Sequence, residues 1–491
     1  MTEALIIGAG VAGPVLAIAL QRVGIDAHVY ERSPSGADLR GAWLNFQANG
    51  MDALRAVDAA GPLENLGYPN DTISFITGGG KELGRIPMAA QRPDGQLSVM
   101  MRRADLYREL NALAAARGAR YDYGKEFVSA TTASDGRVRA QFADGSSATG
   151  DLLIGCDGIH STVRRMIDPA ARTPRYVPVL NVGGYIPNFT VDVPLREFRM
   201  QFGTCCFFAW FPTPDGGTVW FANPPMAREP ERGALSDMTD VDWRNWLRQL
   251  MSGDVGPAHD IIDAAPGPMV GWATYDLPVV KRWHNHRNQI IIGDAAHATA
   301  PSAGQGASMS VEDAVILAQC LRDCPDIPTA FTTFESLRRR RVDDFDQRLP
   351  SLLGVHHLGE QLGRQVEIDA ARTARHGGAD GAGHGDADIL GMQHAEGRLA
   401  QGLRDGELIH LLVVALLKID DLPLGRSADQ DHREAVGGGV GQGRQTVEEA
   451  RSRHRETDAG LLGQEAGDRG GVARDQPGDT ALEIAARARC L

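Results

Sequence analysis

Three glycines near the start of the chain have the spacing of a phosphate-binding turn. Gly8, Gly10 and Gly13 follow the apolar run ALII and precede a helical pattern. The first glycine permits a tight turn, the second lets a pyrophosphate approach the backbone, and the third lets helix and strand pack closely. Free N–H groups at the helix N-terminus complete the anion site. The stretch therefore predicts a dinucleotide site.

An acidic residue stands where the second strand of this unit should end. Glu31 closes the run AHVYE, 18 residues beyond Gly13, where a carboxylate accepts hydrogen bonds from an adenosine ribose. Arg32 follows it and is expected to lie along the adenine edge. A glycine fingerprint alone also occurs in ordinary turns, so the prediction depends on the strand, helix, second strand and acid together. NAD, NADP and FAD all remain open at this point.

A second glycine-rich loop follows the apolar run QIII much later in the chain. Gly293 and Asp294 stand at the carboxyl end of this predicted strand, where open α/β sheets bind their ligands. Asp294 is a candidate acceptor for a ribose or ribityl hydroxyl. Gly304 and Gly306 precede the helical run ASMSVEDAVILAQCL. The N-terminus of that helix should face the same crevice and stabilise negative charge on a reduced isoalloxazine ring.

Three further stretches are ambiguous from spacing alone. Arg103 opens an amphipathic helix in SVMMRRADLYREL, where a surface arginine ordinarily only solvates the helix. Asp157 and Gly158 follow a predicted buried strand and lead into a helix, a turn found in any α/β protein. His297 belongs to the run GDAAH, and for it we favour a packing role over acid–base catalysis.

Two-residue alternation and many aromatic side chains mark the region from 172 to 282. The run EFRMQFGTCCFFAWFPTPDGGTVWFANPP predicts an antiparallel sheet with one aromatic face. That face either covers helices or walls a pocket for a flat, apolar substrate, and the pattern does not choose between them. The candidate pocket residues are Phe207, Trp210, Phe211, Trp220 or Phe221 and, from the later loop, Pro301.

Three separated motifs resemble the fingerprints of one enzyme class. GAGVAG with Glu31, CDGIHSTVR and GDAAHATAPSAGQGASMSVEDA resemble, in order and separation, those of the FAD-dependent aromatic monooxygenases, the para-hydroxybenzoate hydroxylase class. The resemblance covers roughly residues 3–348 and is nearest to hydroxylases of polycyclic aromatic or polyketide compounds, including tetracycline-modifying enzymes. It implies an α/β fold, with a Rossmann-like FAD-binding domain and an antiparallel β-sheet substrate domain.

The resemblance also implies roles for individual residues. Arg103 matches the family arginine that contacts FAD, and Asp157 with Gly158 matches the motif tied to FAD and to NAD(P)H engagement. Arg40 and Gly41 match a flavin-adjacent loop only loosely. The cofactor-binding residues implied in this way are Gly8, Gly10, Val11, Ala12, Gly13, Glu31, Arg32, Arg40, Arg103, Asp157, Gly158, Asp294, Pro301, Gly304, Gly306 and Ala307.

The chemistry implied by the resemblance belongs to the cofactor. In this class NAD(P)H reduces FAD, O₂ adds to give a C4a-hydroperoxide, and the distal oxygen is delivered to an electron-rich ring. The expected activity is hydroxylation of an aromatic or polyketide-like small molecule, with no catalytic side chain assigned. Two alternatives stay open: another flavoprotein oxidoreductase on this scaffold, either a dehydrogenase or a halogenase, and a catalytically defective FAD-binding product. The halogenase is disfavoured because the chain has no WxWxI run.

The overall composition argues against several partners. A formal net charge of −13 disfavours nucleic acid and anionic membranes, which attract clustered Lys and Arg. The six cysteines form no CxxC pair, so neither a disulfide framework nor a metal site is expected. The run LLVVALL is too short to span a bilayer, and the N-terminus lacks a signal-peptide pattern. We expect a cytoplasmic monomer or homodimer.

The C-terminal part has a different composition. Phe345 is the last aromatic residue, and none of Phe, Tyr or Trp occurs in the 146 positions after it. Such a composition does not easily bury a core. Residues 351–491 are therefore interpreted either as a disordered or weakly helical extension or as the product of a reading-frame error, and we favour the second. The predicted domains are 1–171 (FAD-binding, first part, with inserted substrate-side strands at about 72–100), 172–282 (substrate sheet), 283–350 (FAD-binding, second part, and connecting helix) and 351–491 (atypical tail).

Overall fold

The computed structural model describes residues 2–34, 43–87, 97–299 and 304–353, with side chains up to residue 343. Its strands are β1 (Glu3–Ile7), β2 (Asp26–Glu31), β3 (Trp43–Phe46), β4 (Tyr68–Asn70), β5 (Thr72–Thr77), β6 (Glu82–Pro87), β7 (Ser98–Arg102), β8 (Arg120–Tyr123), β9 (Phe127–Thr132), β10 (Val138–Phe142), β11 (Ser147–Gly150), β12 (Leu152–Gly155), β13 (Arg175–Ile186), β14 (Glu197–Phe202), β15 (Phe207–Pro212), β16 (Thr218–Asn223), β17 (Gly271–Asp276) and β18 (Gln289–Ile291). Its helices are α1 (Ala12–Arg22), α2 (Ala48–Ala56), α3 (Gly61–Glu64), α4 (Arg103–Ala116), α5 (Thr162–Ile167), α6 (Ala234–Asp237), α7 (Asp240–Leu250), α8 (Ala258–Ala264), α9 (Asp294–His297), α10 (Gly306–Asp323) and α11 (Ile327–Leu353).

Five parallel strands form a central sheet in the order β18-β12-β1-β2-β8. The strand runs are apolar without alternation because both faces of the sheet are covered, and Leu5, Ile6 and Leu153 are fully buried. Helices α1, α4 and α10 form one layer, while α5 and the β9–β11 meander make their own contacts with the sheet. This arrangement confirms the predicted Rossmann-like α/β fold.

A second sheet has seven strands in the order β17-β13-β16-β15-β14-β5-β6. Neighbouring strands are antiparallel except for β14 and β5, which run parallel. The antiparallel sheet expected between 172 and 282 is present, and β5 and β6 extend it from the earlier part of the chain. Strand β7, at the end of the predicted insertion, instead pairs with β3 and β4 in a small separate sheet.

The prediction of one aromatic face on the seven-stranded sheet is wrong. Trp210 and Trp220 lie on the face covered by α7 and α8, where they pack with Trp243 and are 1% and 2% exposed. Phe207 and Phe211 lie on the opposite face, together with Phe75, Phe198, Val219, Phe221 and Met100 of β7. Successive residues of a strand point to opposite sides, so Trp210 and Phe211 cannot line the same wall. The predicted pocket residues on β15 and β16 are thus divided between two faces, with Trp210 and Trp220 on one and Phe207, Phe211 and Phe221 on the other.

Helix α11 is the last described element, and it packs along α10. Of the predicted site residues, Arg40 and Pro301 lie outside the described residues, as do Gly41 and nearly all of the 351–491 segment. Within the described ranges, no helix is both long enough and apolar enough to cross a bilayer.

Candidate functional site

Two of the three N-terminal glycines are required by the packing of the protein itself. Gly8 has a φ of +107°, and a Cβ added there would collide with the carbonyl oxygen of Cys156 at the end of β12. A Cβ on Gly13 would collide with the carbonyl oxygen of Gly8. The turn between β1 and α1 is therefore folded tightly against the neighbouring strand, which explains both glycines without any ligand.

Gly10 differs from its two neighbours because no described atom crowds it. The nearest atom to an added Cβ is the Tyr107 hydroxyl oxygen, at 4.0 Å, which is an ordinary contact distance. Helix α1 begins directly after this point, and its N-cap residue Val11 makes no side-chain cap hydrogen bond. The first N–H groups of α1, including that of Ala12, therefore have no side-chain cap. With the uncrowded Gly10 in front of them, they fit a phosphate group that approaches the backbone.

Glu31 fastens the end of β2 to the glycine turn. Its two carboxylate oxygens accept hydrogen bonds from the backbone N–H of Ala9 and of Ser33, each at 2.8 Å. A carboxylate oxygen has two acceptor sites, so Glu31 keeps capacity for a further donor such as a ribose hydroxyl. Arg32, next in sequence, is exposed beside it.

Helix α4 connects Arg103 to the glycine turn through residues that sequence reasoning missed. The Arg103 Nε donates to the Tyr107 hydroxyl at 2.5 Å, and its guanidinium lies 5.1 Å from the centre of that ring. One turn further along α4, Asn111 donates to the carbonyl oxygen of Ala9 at 2.9 Å. The i, i+4, i+8 spacing of these three side chains on one helix face was the signal available in the sequence.

The Tyr107 hydroxyl lies near charged groups from separate motifs. Burial raises the pKa of Tyr107, the neighbouring Arg103 guanidinium opposes that rise, and the carboxylates of Asp294 and Glu31 add to it. The charges of Asp294 and Glu31 therefore act on the same hydroxyl, although 263 residues separate them in sequence. The packing shows the same proximity, because a Cβ on Gly293 would lie 3.4 Å from the Ala12 Cβ at the start of α1. The glycine turn, α4 and the Asp294 turn therefore lie side by side around one crevice.

Asp157 is occupied within its own turn. Its carboxylate accepts hydrogen bonds from the Ser161 hydroxyl at 2.5 Å and from the N–H groups of Thr162 and Val163 at 2.7 and 3.1 Å. Burial raises the pKa of Asp157, and these hydrogen bonds only partly offset that rise. Asp157 thus supports the start of α5 together with its N-cap residue Ser161, and Gly158, with a φ of +74°, completes the turn.

The Asp157 turn touches both of the other motifs. A Cβ on Gly8 would lie 3.2 Å from the Asp157 Cα. On the other side, the buried Arg164 donates to the carbonyl oxygens of Ala295 at 2.9 Å and Ile159 at 2.6 Å. The guanidinium therefore ties the Asp157 turn to α9, which Asp294 begins.

Asp294 offers an acceptor beside a helix N-terminus. No described residue donates a hydrogen bond to its carboxylate. A Cβ on Gly306, the first residue of α10, would lie 3.7 Å from the Asp294 Oδ1. Helix α10 has no side-chain cap, and the buried Oε1 of its N-cap residue Gln305 has no hydrogen-bond partner among the described residues. These polar groups fit a ligand that supplies both hydroxyl and N–H donors.

The start of α2 closes the crevice against α10. The Gln47 backbone N–H donates to the Ser308 hydroxyl at 3.1 Å, and Ser98 donates to the Gln47 side chain at 2.8 Å. The Gln47 amide nitrogen would lie 3.3 Å from a Cβ on Gly304, whose φ is +61°. Gly304 and Ser308 of α10 thus lie beside Gln47, the residue that follows β3, an arrangement that no local sequence pattern predicted.

His297 is buried and hydrogen-bonded rather than open to the crevice. It is 5% exposed, and its Nε2 lies 2.6 Å from the Asp313 Oδ2. Burial alone would lower the pKa of His297, but the Asp313 carboxylate outweighs burial and raises it. The position agrees with the packing role favoured from the sequence.

The stability contribution of His297 should depend on pH. Because its folded pKa is raised, the contribution should be complete below its ordinary value of 6.5 and should be lost as pH rises through the folded pKa. The charged groups facing it are Asp313 from α10, Arg338 from α11 and Asp294 from its own helix. The pKa of Asp313 is lowered to about 2, so that group stays ionised throughout this range.

The measurement is a comparison of wild type with His297→Gln by thermal unfolding from about pH 6 to about pH 9. We expect the destabilisation caused by the substitution to be largest at the acid end and to shrink as pH rises. A destabilisation that stays constant, or grows, over this range would contradict an ion-paired His297.

Comparisons with known proteins place this geometry in context. The family model described as FAD binding domain matches residues 1–324. A 3-amino-4-hydroxybenzoate 2-monooxygenase of Streptomyces cremeus is 29% identical over 359 residues, covering 72% of this chain and 87% of the relative. An aurachin C monooxygenase/isomerase of Stigmatella aurantiaca is 30% identical over 363 residues, covering 72% and 88%.

Solved structures show the same fold. HpxO of Klebsiella pneumoniae, determined with FAD and uric acid, has a TM-score of 0.64 at 23% identity, with 86% of this chain and 98% of that chain covered. The tetracycline destructase Tet(55) has a TM-score of 0.56 at 19% identity, with 71% and 88% covered.

Proposed function

The chain belongs to the FAD-binding-domain family and is an FAD-dependent monooxygenase, and from this premise we propose that it hydroxylates a flat aromatic or polyketide-like molecule with NAD(P)H and O₂ as co-substrates. The observation that supports the proposal is the packing of three turns that are distant in sequence. Glu31 accepts from the glycine turn, Tyr107 of α4 approaches Gly10, and the Gly293–Asp294 turn packs on the start of α1. Bound FAD supplies the redox and oxygen chemistry.

We propose that the two helix N-termini divide the cofactor between them. Gly10 and the first turn of α1 would hold the pyrophosphate, and Glu31 would accept from the adenosine ribose. Asp294 would accept from the ribityl chain, and the N-terminus of α10, with Gln305, would face the ring. The protein residues thereby orient the cofactor and supply no nucleophile.

We propose that the substrate lies against the face of the seven-stranded sheet that turns toward β3 and β7. Phe207 and Phe221 are only partly buried on that face, with ring centres 5.7 Å apart, and Phe198 follows at 5.9 Å from Phe221. Apolar rings of this kind stack on a flat substrate and keep water from the reacting centre. Phe211 backs the wall from its buried position on β15.

In this proposal, different segments of the chain bind the cofactor and the substrate. Residues 1–171 and 283–350 would bind the cofactor, and residues 172–282 would bind the substrate with the help of β5 and β6. The small sheet of β3, β7 and β4 contacts both parts. Ser98 donates a hydrogen bond to Gln47 beside α10, and Met100 packs with Phe211 and its aromatic neighbours.

The proposal is tested with purified protein reconstituted with FAD. We expect anaerobic NAD(P)H to bleach the flavin absorption, and an aromatic substrate to accelerate the bleaching. After oxygen is admitted, O₂ consumption should match the formation of a product that carries one added oxygen atom.

Other outcomes separate the alternatives. Reduction of the flavin by the substrate itself, without NAD(P)H, would replace the proposal with a dehydrogenase. A chain that binds FAD but is reduced by neither NAD(P)H nor substrate would contradict catalysis, and failure to bind FAD would contradict the cofactor assignment.

A further inference from the structure

A cluster of buried and partly buried charges contacts the backbone of the Gly293–Asp294 turn. We call it the Asp313 cluster. Its members come from α9, α10 and α11 and are His297, Glu312, Asp313, Arg338 and Arg341. Asp313 is fully buried, and Arg338 is 4% exposed. Charges are withdrawn from water at this depth only where each has a partner.

Asp313 is the centre of the cluster and takes three donors on two oxygens. The backbone N–H of Gly293 donates to Oδ2 at 2.8 Å, and the His297 Nε2 lies 2.6 Å from the same atom. The Arg338 Nε donates to Oδ1 at 2.6 Å. One carboxylate therefore joins the start of the Asp294 turn, the end of α9 and a side chain of α11.

The backbone of Gly293 needs such a support. Its φ of 59° and ψ of −141° lie in a region that L side chains rarely adopt, and a Cβ there would lie 2.8 Å from the Ser310 hydroxyl. The Gly293 carbonyl oxygen then accepts from the N–H groups of Ala296 at 2.8 Å and His297 at 2.9 Å. Fixing both polar groups of Gly293 fixes the direction in which Asp294 leaves the turn.

Arg338 holds Asp313 in the orientation that this support requires. Its Nη1 also bonds the Glu312 Oε2 at 2.7 Å, so one guanidinium spans two adjacent carboxylates of α10. Burial would raise the pKa of both carboxyl groups, but the pKa of Asp313 falls to about 2 because His297 and Arg338 outweigh burial. Without Arg338 the Asp313 carboxylate would lose the donor that aligns its plane.

We propose that Arg338 and Asp313 are positioning residues for FAD, which act through the Gly293 backbone to present Asp294 to the ribityl chain. The inference rests on the proposed function, because it takes Asp294 as the ribityl acceptor. Neither Asp313 nor Arg338 touches the crevice. They set the geometry of a residue that does.

The experiment measures FAD affinity of Arg338→Met by quenching of flavin fluorescence and records the visible circular dichroism of the saturated protein. Methionine keeps the length and apolar stem of the side chain and removes the guanidinium. We expect affinity to fall about 10- to 100-fold, as when a residue that orients a binding side chain is lost, and the flavin dichroism to change. Arg338→Lys, which keeps the charge but not the fork, should have an affinity between those of wild type and the methionine variant.

The matched control is Arg341→Met. Arg341 lies on the same helix and bonds Glu312 with two nitrogens at 2.7 Å, but it makes no contact with Asp313. The Arg341→Met substitution should lower the unfolding temperature and leave the FAD affinity and the flavin dichroism near the wild-type values. Equal losses of affinity in both methionine variants would overturn the proposal in favour of a general effect on stability.

A double variant addresses the Asp313 carboxylate, which Arg338→Met leaves in the core without its guanidinium partner. Arg338→Met with Asp313→Asn removes one charge of each sign, so the chain should fold. The amide oxygen can still accept from the Gly293 N–H and from the His297 ring, but no guanidinium remains to align the plane of the side chain. We expect FAD affinity to stay low in the double variant. A wild-type FAD affinity in the double variant, or in the single variant Arg338→Met, would overturn the proposal. A wild-type chain that fails to bind FAD would instead remove the proposed function.

Discussion

Replacement of Gly10 by alanine should leave the apoprotein folded and weaken FAD binding about 10- to 100-fold. The added methyl group meets only the Tyr107 hydroxyl, at 4.0 Å, so the protein has room for it. A pyrophosphate in contact with the Gly10 backbone would leave no room for this methyl group. Hydrogen bonds to a charged group contribute about 1.5–3 kcal/mol each, and about 1.4 kcal/mol corresponds to tenfold in affinity.

Two measurements on the Gly10→Ala protein decide this prediction. Thermal unfolding without FAD should match wild type, and titration with FAD should show the weaker binding. Gly61→Ala is the control, because an added Cβ at Gly61 has no atom within 4 Å and the position is remote from the glycine turn in sequence. An unchanged FAD affinity in Gly10→Ala would mean that no phosphate comes close to this backbone.

Replacement of Gly13 by alanine should have the opposite effect, because it should lower the free energy of unfolding of the apoprotein itself. The added Cβ would fall on the carbonyl oxygen of Gly8, and neither backbone segment can move without separating α1 from β1. Overpacking of a core costs about 1–3 kcal/mol, and we expect a loss near 3 kcal/mol because the collision involves backbone atoms.

Urea unfolding of the apoprotein measures the loss in Gly13→Ala directly, with Gly10→Ala as the matched comparison from the same turn. The two alanine variants should differ in unfolding free energy even though they lie three residues apart. Equal unfolding free energies for wild type and Gly13→Ala would show that the turn is looser than described.

Local patterns in the sequence predicted the strands and helices around the two glycine-rich turns. The glycine spacing with Glu31 predicted a strand, a helix and a second strand, and β1, α1 and β2 occur there. The apolar run before Gly293 predicted a buried strand, and β18 joins the parallel sheet through β12. These predictions succeeded because each depends on residues that are close in sequence.

The aromatic wall was mispredicted for a reason that the sequence itself contained. Trp210 and Phe211 are consecutive in one strand, so the two-residue period that predicted the strand also separates them. Which of the two faces carries the helices depends on α7 and α8, whose Trp243 packs with Trp210 and Trp220. That choice is tertiary and has no local signal.

The roles of Asp157 and Arg338 depended on contacts that the sequence does not display. Asp157 is a ligand candidate only through the family resemblance, and in the structure Ser161 and two N–H groups of α5 occupy its carboxylate. Arg338 stands in a run of four arginines, and its burial and its contact with Asp313 distinguish it from its neighbours.

In the proposed function, Glu31 and Asp294 bind the two ends of one flavin nucleotide. A crystal structure of the chain with FAD tests it most directly. We predict a single flavin whose pyrophosphate lies over Gly10 at the start of α1 and whose ribityl hydroxyls hydrogen-bond to Asp294. A flavin bound elsewhere, or one that contacts only one of the two carboxylates, would contradict the account.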